Sequence, residues 1–515
     1  MSDVCLVLEG TYPYVTGGVS SWVHNLIGAL PRVRFSLLTI LPSRETYRDY
    51  KYEVPENVVS VSDCYIHDYA ISESRGRRGS KKQAFELLAR FYRDIQRRDY
   101  SLLPELFRLV VDPATRVISP RELFYHKKVW EMVVSMYDEM ELEESFIDYF
   151  WTWRYSHLPL LRLADARIPR ASVYHTISTG YAGLLASIAH VKTGAPVLLT
   201  EHGIYSNERR IEIEQARWIF ERKVDTAVIT NTVSPFKQMW ITLFDHLSRL
   251  TYLYSDEVIT LFENNRRVQI AGGADPQRTR VIPNGINLTN FNMRKQPKDP
   301  AEKFQIGFVG RVVSIKDVKT FIRACKIVHE QIPETHFPIM GPTEEEEEYF
   351  EECRSMVSML GLEECVEFTG RVDVRQEYPR MDVVVLTSVS EAQPLVILEA
   401  NICGVPCIAT DVGACSELLY GRTPEDRALG YSGLVTPIAD PEATADAIIQ
   451  ILGNDERRWQ MGQSGIQRVE RFYNEQDLNF AYLDLYRRYI TIGEARRAVG
   501  GKPTHGRREE AAWRA

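Results

Sequence analysis

The chain has 515 residues, which is more than a single hydrophobic core usually supports, so at least two domains are expected. Its formal net charge of −8 excludes a broadly basic surface, and no nucleic-acid partner is expected. The apolar run near the amino terminus is too short for a signal peptide, and no later run is long enough to cross a membrane. We therefore expect a cytoplasmic protein.

Eight cysteines are scattered along the sequence. They form no Cys-x-x-Cys pair and are not grouped with histidines. Neither a zinc site nor a disulfide framework is predicted, and buried free thiols are expected.

Strand-like apolar runs alternate with helical patterns, which predicts parallel sheets built from β-α-β units. In the first half the runs are VCLVL (4–8), FSLLTI (35–40), ASVYH (171–175), PVLLT (196–200) and EVITL (257–261). In the second half they are QIGFVG (305–310), THFPIM (335–340), VEFTG (366–370), DVVVLT (382–387) and PCIAT (406–410). Each half is predicted to form its own doubly wound α/β domain, residues 1–285 and 304–475.

Other segments depart from this alternation. Residues from about 65 to 160 carry long helical patterns without a strand and are predicted to be a helical insertion in the first domain. Residues 286–303, rich in Pro, Asn and Lys, are predicted to be a linker. An amphipathic helix is expected over 476–492, and the charged tail 493–515 is expected to be disordered.

Three stretches allow more than one interpretation. ISESRGRRGSKKQ (71–83) is either a solvated loop, which is favoured, or a contact for anionic lipid or an acidic partner. FIDYFWTWRY (146–155) either packs in the core, which is favoured, or stacks against acceptor sugars. The acidic run at 344–348 is interpreted as the solvated start of a helix, without a chemical role.

The loop after the first strand contains Gly17 and Gly18 directly before a helical pattern. It matches neither the dinucleotide fingerprint G-x-G-x-x-G nor the Walker loop, which argues against both of those nucleotide sites. A glycine turn that opens a helix offers backbone N–H groups to an anion. A simple strand-to-helix turn is an equally good interpretation of this loop.

The corresponding loop of the second half, GFVGRVVSIKD (307–317), contains Arg311 just after a strand and Lys316 near the next helix. Two cations at the carboxyl end of a strand can neutralise a diphosphate. An exposed basic loop is the competing interpretation and is favoured when this motif is considered alone.

The stretch SEAQPLVILEA (390–400) places two glutamates around a helix start. Glu391 is predicted to lie in the loop after a strand, and Glu399 about one turn inside a helix that has Pro394 near its first position and Gly404 beyond its end. Two carboxylates could accept hydrogen bonds from sugar and ribose hydroxyls, and the N–H groups of the helix could bind a phosphate. This combination would suit a sugar nucleotide. The alternative is a capping glutamate and a partly exposed helix residue.

These residues resemble a known family. SEAQPLVILEANICGVPCIATDVGACSEL (390–418) resembles the E-x7-E signature of retaining glycosyltransferases of family four. RTRVIPNGINLTNF (278–291), GFVGRVVSIKD and VEFTGRVD (366–373) match the other blocks of that family in the expected order. The resemblance implies a GT-B fold, with two facing Rossmann-like domains, the first on the acceptor side and the second holding the donor nucleotide.

The resemblance also implies residue roles. Arg311 and Lys316 would bind the donor diphosphate, Glu399 the ribose, Glu391 the transferred sugar and Arg371 the region of the base. Leu395, at the start of the helix, is assigned to the donor site as well.

In the first domain, Gly17 and Gly18 would approach the phosphates, and His202, in LLTEHGIY, would touch the sugar near the reacting carbon. His175, one strand earlier, is better interpreted as a packed histidine than as part of the acceptor site. The chain has Ala392-Gln393-Pro394 where the commoner signature has E-G-F-G, which leaves open which amides reach the sugar.

The implied reaction is hexosyl transfer with retention, with UDP-glucose as the expected donor and a growing bacterial exopolysaccharide as the acceptor. No cofactor or metal is expected to be required, because Arg311 and Lys316 would balance the diphosphate. An inner-membrane polysaccharide synthase complex is a candidate partner, which would place the protein at the periphery of that membrane. The alternative is a non-catalytic sugar-nucleotide-binding component of such a complex, whereas a nicotinamide-dependent oxidoreductase lacks its glycine fingerprint.

Overall fold

A computed structural model gives the fold, and it describes residues 1–46, 49–67, 76–112, 115–140, 142–216, 218–219, 233–291, 293–295 and 302–498. The described chain divides into two compact units. The first holds Met1–Ile259, Val268–Arg280 and the residues from Leu483 onward, and the second holds Thr260–Arg267 and Val281–Tyr482.

Seven strands form the first sheet. They are β1 (Ser2–Glu9), β2 (Phe35–Leu41), β3 (Val58–Tyr65), β4 (Ala171–Thr176), β5 (Val197–Glu201), β6 (Glu257–Thr260) and β7 (Thr279–Val281). Their order is β3-β2-β1-β4-β5-β6-β7, and β1 pairs in parallel with both β2 and β4. The order reverses at β1, so the loops after β1 and β4 flank a topological switch point, where open α/β sheets bind ligands.

The helices of this half surround the sheet and build the predicted insertion. They are α1 (Gly18–Ala29), α2 (Lys81–Gln96), α3 (Leu103–Leu106), a π-helical turn (Phe107–Val111), α4 (Glu122–Tyr125), α5 (Lys127–Glu139), α6 (Phe146–Ala164), α7 (Gly180–Thr193), α8 (Tyr205–Gln215), α9 (Pro235–Tyr254) and α10 (Glu263–Ala271). No strand occurs among the described residues from α2 to α6, which confirms the helical insertion. Its apolar side chains join the core that lies under β1 and β2.

The second sheet has six strands. They are β8 (Phe304–Val309), β9 (Thr335–Met340), β10 (Val366–Gly370), β11 (Val383–Leu386), β12 (Cys407–Thr410) and β13 (Gly433–Thr436). Their order is β10-β9-β8-β11-β12-β13, and β8 pairs in parallel with β9 and β11. The switch point of this sheet therefore lies between the loops after β8 and β11.

Helices and short turns connect these strands. They are a 3₁₀ turn (Leu288–Asn290), a 3₁₀ turn (Ser314–Lys316), α11 (Val318–Gln331), α12 (Glu347–Met359), α13 (Val374–Glu377), a 3₁₀ turn (Tyr378–Arg380), α14 (Leu395–Ile402), α15 (Cys415–Tyr420), α16 (Pro424–Arg427), α17 (Pro441–Leu452) and α18 (Asp455–Phe472). All eight cysteines are buried free thiols, as predicted.

The last helix, α19 (Glu475–Ala498), is longer than the predicted 476–492. Its second half packs against β4, where the Tyr486 hydroxyl lies 2.7 Å from His175 Nδ1. Gly493 allows a close approach, because a Cβ there would lie 2.1 Å from the Ser172 carbonyl oxygen. This packing explains why the helix continues beyond the predicted end.

Parts of several predicted segments lie outside the described residues: the tail from 499, positions 71–75 of the cation-rich loop, positions 292 and 296–301 of the linker, and positions 68–75, 113–114 and 141 of the helical insertion. In the part of the chain that the structure describes, no helix is long and apolar enough to cross a membrane.

Candidate functional site

The loops at the switch point of the second sheet are joined by an ion pair between Lys316 and Glu391. Lys316 Nζ donates to Glu391 Oε1, and the Ser388 hydroxyl donates to the same oxygen at 2.6 Å. The two charged side chains are only 17% and 12% exposed. Their attraction is therefore less screened than that of a surface pair. The structure thus brings together two residues that lie 75 positions apart in the sequence.

Backbone contacts fix the Glu391 loop on both sides. The Val389 N–H donates to the Ile315 carbonyl at 2.9 Å, which ties the loop to the Lys316 turn. On the other side, Gly413 has φ of +53°, and a Cβ there would lie 2.1 Å from the Glu391 carbonyl oxygen. Only glycine suits both this left-handed backbone and this close approach. The position of Glu391 is therefore set by three loops of the second unit.

Arg311 also follows β8, but it is an exposed residue whose guanidinium pairs with Glu345. The next residue, Glu346, accepts the Ser314 N–H at 2.9 Å. Both glutamates belong to the acidic run to which the sequence analysis gave no chemical role, and α12 begins only after them at Glu347. The run is therefore not simply solvated: two of its carboxylates contact groups of the loop that carries the predicted phosphate-binding cations.

Glu399 lies on α14 and is held by a buried tyrosine from a neighbouring turn. The Tyr378 hydroxyl donates to Glu399 Oε2 at 2.8 Å, and Tyr378 has no exposed surface. Desolvation raises the pKa of Glu399, and the Tyr378 hydrogen bond partly opposes that shift. Oε1 accepts no hydrogen bond from any described residue, so this oxygen is available for a ligand hydroxyl.

The start of α14 has the predicted geometry. Pro394 is the N-cap of this helix, and Leu395, which is 40% exposed, is its first residue. Among the described residues, no side chain caps the free N–H groups. Beyond its end, Gly404 adopts φ of +82°, as expected for a helix terminator. The Ile397 N–H donates to the Pro394 carbonyl at 3.3 Å, and the N–H groups of Leu395 and Val396 remain donors for an anion.

Gln393 explains the departure from the E-G-F-G signature. Its Oε1 accepts the Asn284 N–H at 2.7 Å, and its Nε2 donates to the Asn284 carbonyl at 2.9 Å. The buried amide therefore satisfies both backbone groups of one residue in the segment IPNG (282–285). The phenylalanine that the commoner signature has at this position carries no amide and would leave these groups without this partner.

Arg371 follows β10 and is exposed. Gly370, before it, has φ of +68°, and its carbonyl accepts the Gly341 N–H at 2.8 Å. Arg371 is not brought into contact with the Lys316–Glu391 pair by any described hydrogen bond or ion pair.

In the first unit, Gly17 and Gly18 open α1 as predicted. Gly17 is extended, with φ of 166°, and Gly18 is not among the glycines with left-handed backbone. A Cβ at either position would meet no atom of a described residue within 4 Å. A larger residue at Gly18 would therefore not strain the backbone in this conformation, and the two glycines leave open space before the helix.

His202 directly follows β5, and its ring lies edge-on to that of Trp22 on α1, with the centroids 4.7 Å apart. Burial lowers the pKa of His202 to about 4, so its imidazole is neutral near pH 7. His175 is fully buried and lies 2.7 Å from the Tyr486 hydroxyl and 2.9 Å from that of Thr200. These contacts confirm the interpretation of His175 as a packed histidine.

Glu9, at the end of β1, was not predicted from the sequence. Its carboxylate accepts the N–H groups of Tyr181 and Ala182 at 3.1 and 3.3 Å, in the first turn of α7. The Tyr205 hydroxyl donates to its other oxygen at 2.7 Å. The helix terminus at the switch point of the first sheet is therefore occupied by a carboxylate of the protein itself. A single acidic residue at a strand end gives no sequence signal for this role.

Solved structures share this arrangement of two Rossmann-like parallel sheets. Sucrose-phosphate synthase from Thermosynechococcus elongatus aligns with a TM-score of 0.55 at 18% identity, over 95% of this chain and 100% of that chain. HepE from Anabaena, in complex with UDP, aligns with a TM-score of 0.55 at 14% identity, over 94% and 100%. The fold is therefore that of GT-B glycosyltransferases, as predicted.

Residues 2–277, more than half of the chain, match the model of the domain of unknown function DUF3492, and the chain belongs to this family. Residues 303–454 match glycosyl transferases group 1. The D-inositol 3-phosphate glycosyltransferase of Corynebacterium urealyticum is 28% identical over 216 residues, which are 41% of this chain and 49% of that protein. The chain spans about half the length of the curated relatives it matches. The segment that matches glycosyl transferases group 1 lies within the second unit.

We predict that Tyr378→Phe weakens UDP binding roughly fivefold, because the loss of one hydrogen bond, about 1 kcal/mol, frees the Glu399 carboxylate. Isothermal titration calorimetry with UDP measures the effect. Tyr431→Phe, which changes an exposed tyrosine of the same unit, is the matched control and should bind like the wild type. Equal affinity in all three proteins would remove Glu399 from the site.

His202 also predicts a pH dependence of stability. The unfolded chain protonates this residue near its ordinary pKa of 6.5, whereas the folded protein does so only near 4. The unfolded state therefore binds more protons between these values, and the free energy of unfolding falls as the pH decreases, by up to about 1.4 kcal/mol per unit.

Urea unfolding at several pH values should show a shallower decline for His202→Gln than for the wild type. His67→Gln, which changes an exposed histidine of the same unit, should retain the wild-type slope. An unchanged slope in His202→Gln would contradict the burial of its neutral ring.

Proposed function

We propose that this chain is a retaining hexosyltransferase that uses a nucleoside diphosphate sugar, UDP-glucose, as its donor. The observation that carries the proposal is the Lys316–Glu391 pair at the switch point of the second sheet, inside the segment that matches glycosyl transferases group 1. The structure of HepE in complex with UDP-glucose, which shares the fold, supports the choice of donor.

The proposed chemistry is electrostatic. As the bond between the sugar and the diphosphate breaks, negative charge grows on the leaving group, and Lys316, Arg311 and the N–H groups at Leu395 would stabilise it. Lys316 already contacts Glu391, and Arg311 already contacts Glu345. A diphosphate would therefore compete with these carboxylates for the cations rather than meet bare charges.

Glu391 would bind the transferred sugar. Its Oε1 accepts hydrogen bonds from both Lys316 and Ser388, which orients the carboxylate and leaves Oε2 for a sugar hydroxyl. Retention would then arise by attack of the acceptor on the same face as the departing diphosphate, which takes up the acceptor proton. A covalent glycosyl intermediate on Glu391 is the alternative route to retention.

Glu399 Oε1 would accept hydrogen bonds from the ribose diol of the donor, and Arg371 would lie near the nucleotide base. From the first unit, Gly17 and Gly18 would approach the phosphates, and neutral His202 would contact the sugar. The two cations would take the charge-balancing role of a divalent metal. The described residues contain no group of three or more His, Cys, Asp or Glu arranged to hold a metal ion.

The acceptor is proposed to be a growing bacterial exopolysaccharide. The opening CLVLEGTYPYVTGGVSSWVHNLI, the helical insertion and TEHGIYSNERR resemble the cytosolic glycosyltransferase of Pel exopolysaccharide synthesis. This resemblance supports a saccharide acceptor, an inner-membrane synthase complex as partner and a role in biofilm formation.

A non-catalytic sugar-nucleotide-binding component would use the same residues without turnover. Release of UDP from UDP-glucose that is stimulated by a saccharide acceptor distinguishes the two functions. Binding of UDP-glucose without such release would support the non-catalytic alternative.

We predict that Lys316→Ala lowers the turnover number roughly ten- to a thousandfold, as expected when one charge-stabilising donor is removed. The measurement is UDP release with a series of saccharide acceptors. Lys319→Ala is the control, because Lys319 lies near Lys316 in sequence but pairs with Glu352. If folded Lys316→Ala and Lys319→Ala are equally active, Lys316 does not serve the donor diphosphate.

A further inference from the structure

The helical insertion encloses a cavity of about 460 Å³ that has no part in the proposed glycosyl transfer. Helices α2, α5 and α6 form one side, and α7 and α9 of the first unit form the other. Three lining residues, Gln96, Met140 and Gln238, are exposed, so the cavity opens to solvent. Its volume falls in the range of small-molecule sites.

The lining is mostly apolar and includes four methionines, Met132, Met136, Met140 and Met239. Methionine side chains are unbranched and polarisable, and they adapt to flexible apolar ligands better than branched side chains do. The wall therefore suits a hydrocarbon chain better than a sugar, which needs many polar partners.

Two polar atoms on α6 lie in this wall without a hydrogen-bond partner among the described residues. They are the Tyr149 hydroxyl and Trp153 Nε1, and both are buried. Tyr149 is 0% exposed and Trp153 is 4% exposed. An unpaired buried donor is costly and unusual in a folded protein, and the indole N–H can only donate. The cavity therefore offers hydrogen bonds to an acceptor.

A third polar atom, His246 Nε2, is also buried without a partner among the described residues. The other ring nitrogen, Nδ1, lies 2.6 Å from the Tyr100 hydroxyl. Arg98 and Arg249 both act electrostatically on this Tyr100–His246 pair. Asp245 also acts on Tyr100, and its carboxylate lies 3.7 Å from Arg210. Two guanidinium groups and one carboxylate thus act on this pair among the described residues, and this excess of positive charge favours an anionic ligand group.

We propose that this cavity binds a single-chain anionic amphiphile, whose hydrocarbon chain lies along the methionines and whose carboxylate or phosphate monoester accepts from Tyr149, Trp153 and His246. A chain that carries a strong acceptor at one end uses both the apolar wall and the unpaired polar atoms. A pure hydrocarbon would leave these atoms unpaired, and a hexose would leave its hydroxyls against methionine. The proposal does not depend on the glycosyltransferase activity.

The full-length protein should bind the fluorescent fatty acid 11-(dansylamino)undecanoic acid with one saturable site. Oleate and farnesyl phosphate should displace the probe, and oleyl alcohol should displace it at least tenfold less well. Whether oleate or farnesyl phosphate competes better distinguishes a carboxylate from a phosphate as the preferred head group. The absence of saturable binding, or equal displacement by oleyl alcohol, overturns the proposal.

Two variants locate the site. Tyr149→Phe removes only a hydroxyl that has no described partner, so the melting temperature should not fall, whereas the affinity for the probe should fall at least threefold. Leu243→Trp, at a partly buried lining position, should fill the cavity and lower the affinity at least tenfold.

Tyr155→Phe changes an exposed tyrosine on the same helix, α6, and should bind like the wild type. If Tyr149→Phe is folded and both it and any folded Leu243→Trp bind the probe as tightly as the wild type, the cavity is not the site.

Discussion

The ion pair between Lys316 and Glu391 is the contact on which the organisation of the second unit's ligand-binding edge depends. It joins the loops after β8 and β11, which are neighbours in the sheet although a long stretch of chain separates them. Because both side chains are largely buried, removal of one partner would leave a poorly solvated charge, which typically costs about 3–5 kcal/mol. The pair therefore sets the distance between the proposed diphosphate-binding loop and the proposed sugar-binding loop.

The helix N-termini near the two switch points differ in whether a side chain of the protein already occupies their free N–H groups. In the first sheet, Glu9 already occupies the N–H groups at the start of α7, so the protein supplies its own anion there. In the second sheet, no side chain in the described part of the structure caps the first turn of α14. The first turn of α1 also lacks a cap from any described side chain, so the contrast lies between α7 and α14, and the sequence patterns alone did not distinguish these two helices.

The sequence predicted the buried strands well, because runs such as DVVVLT have few alternative structures. It did not predict β3, whose half-exposed sequence VVSVSDCY at the sheet edge carries a weaker apolar signal, or the short strands β7 and β13. The boundaries and roles of the predicted domains stay predictions.

The spacing of one motif predicts Glu391 and Glu399 as site residues, but it does not predict which side chains contact them. Tyr378 and Ser388 act through contacts that only the folded chain creates. Gln393 looked like a departure from the signature, whereas the structure gives it two hydrogen bonds to Asn284. The acidic run was assigned to solvent because a charge run gives no information about the loop that faces it.

The central claim is that the Lys316–Glu391 pair marks the donor site, and a crystal structure of the protein with bound UDP tests it most directly. We expect the β-phosphate within hydrogen-bond distance of Lys316 Nζ and the ribose hydroxyls on Glu399 Oε1. UDP bound away from both residues, with the ion pair undisturbed, would contradict the account.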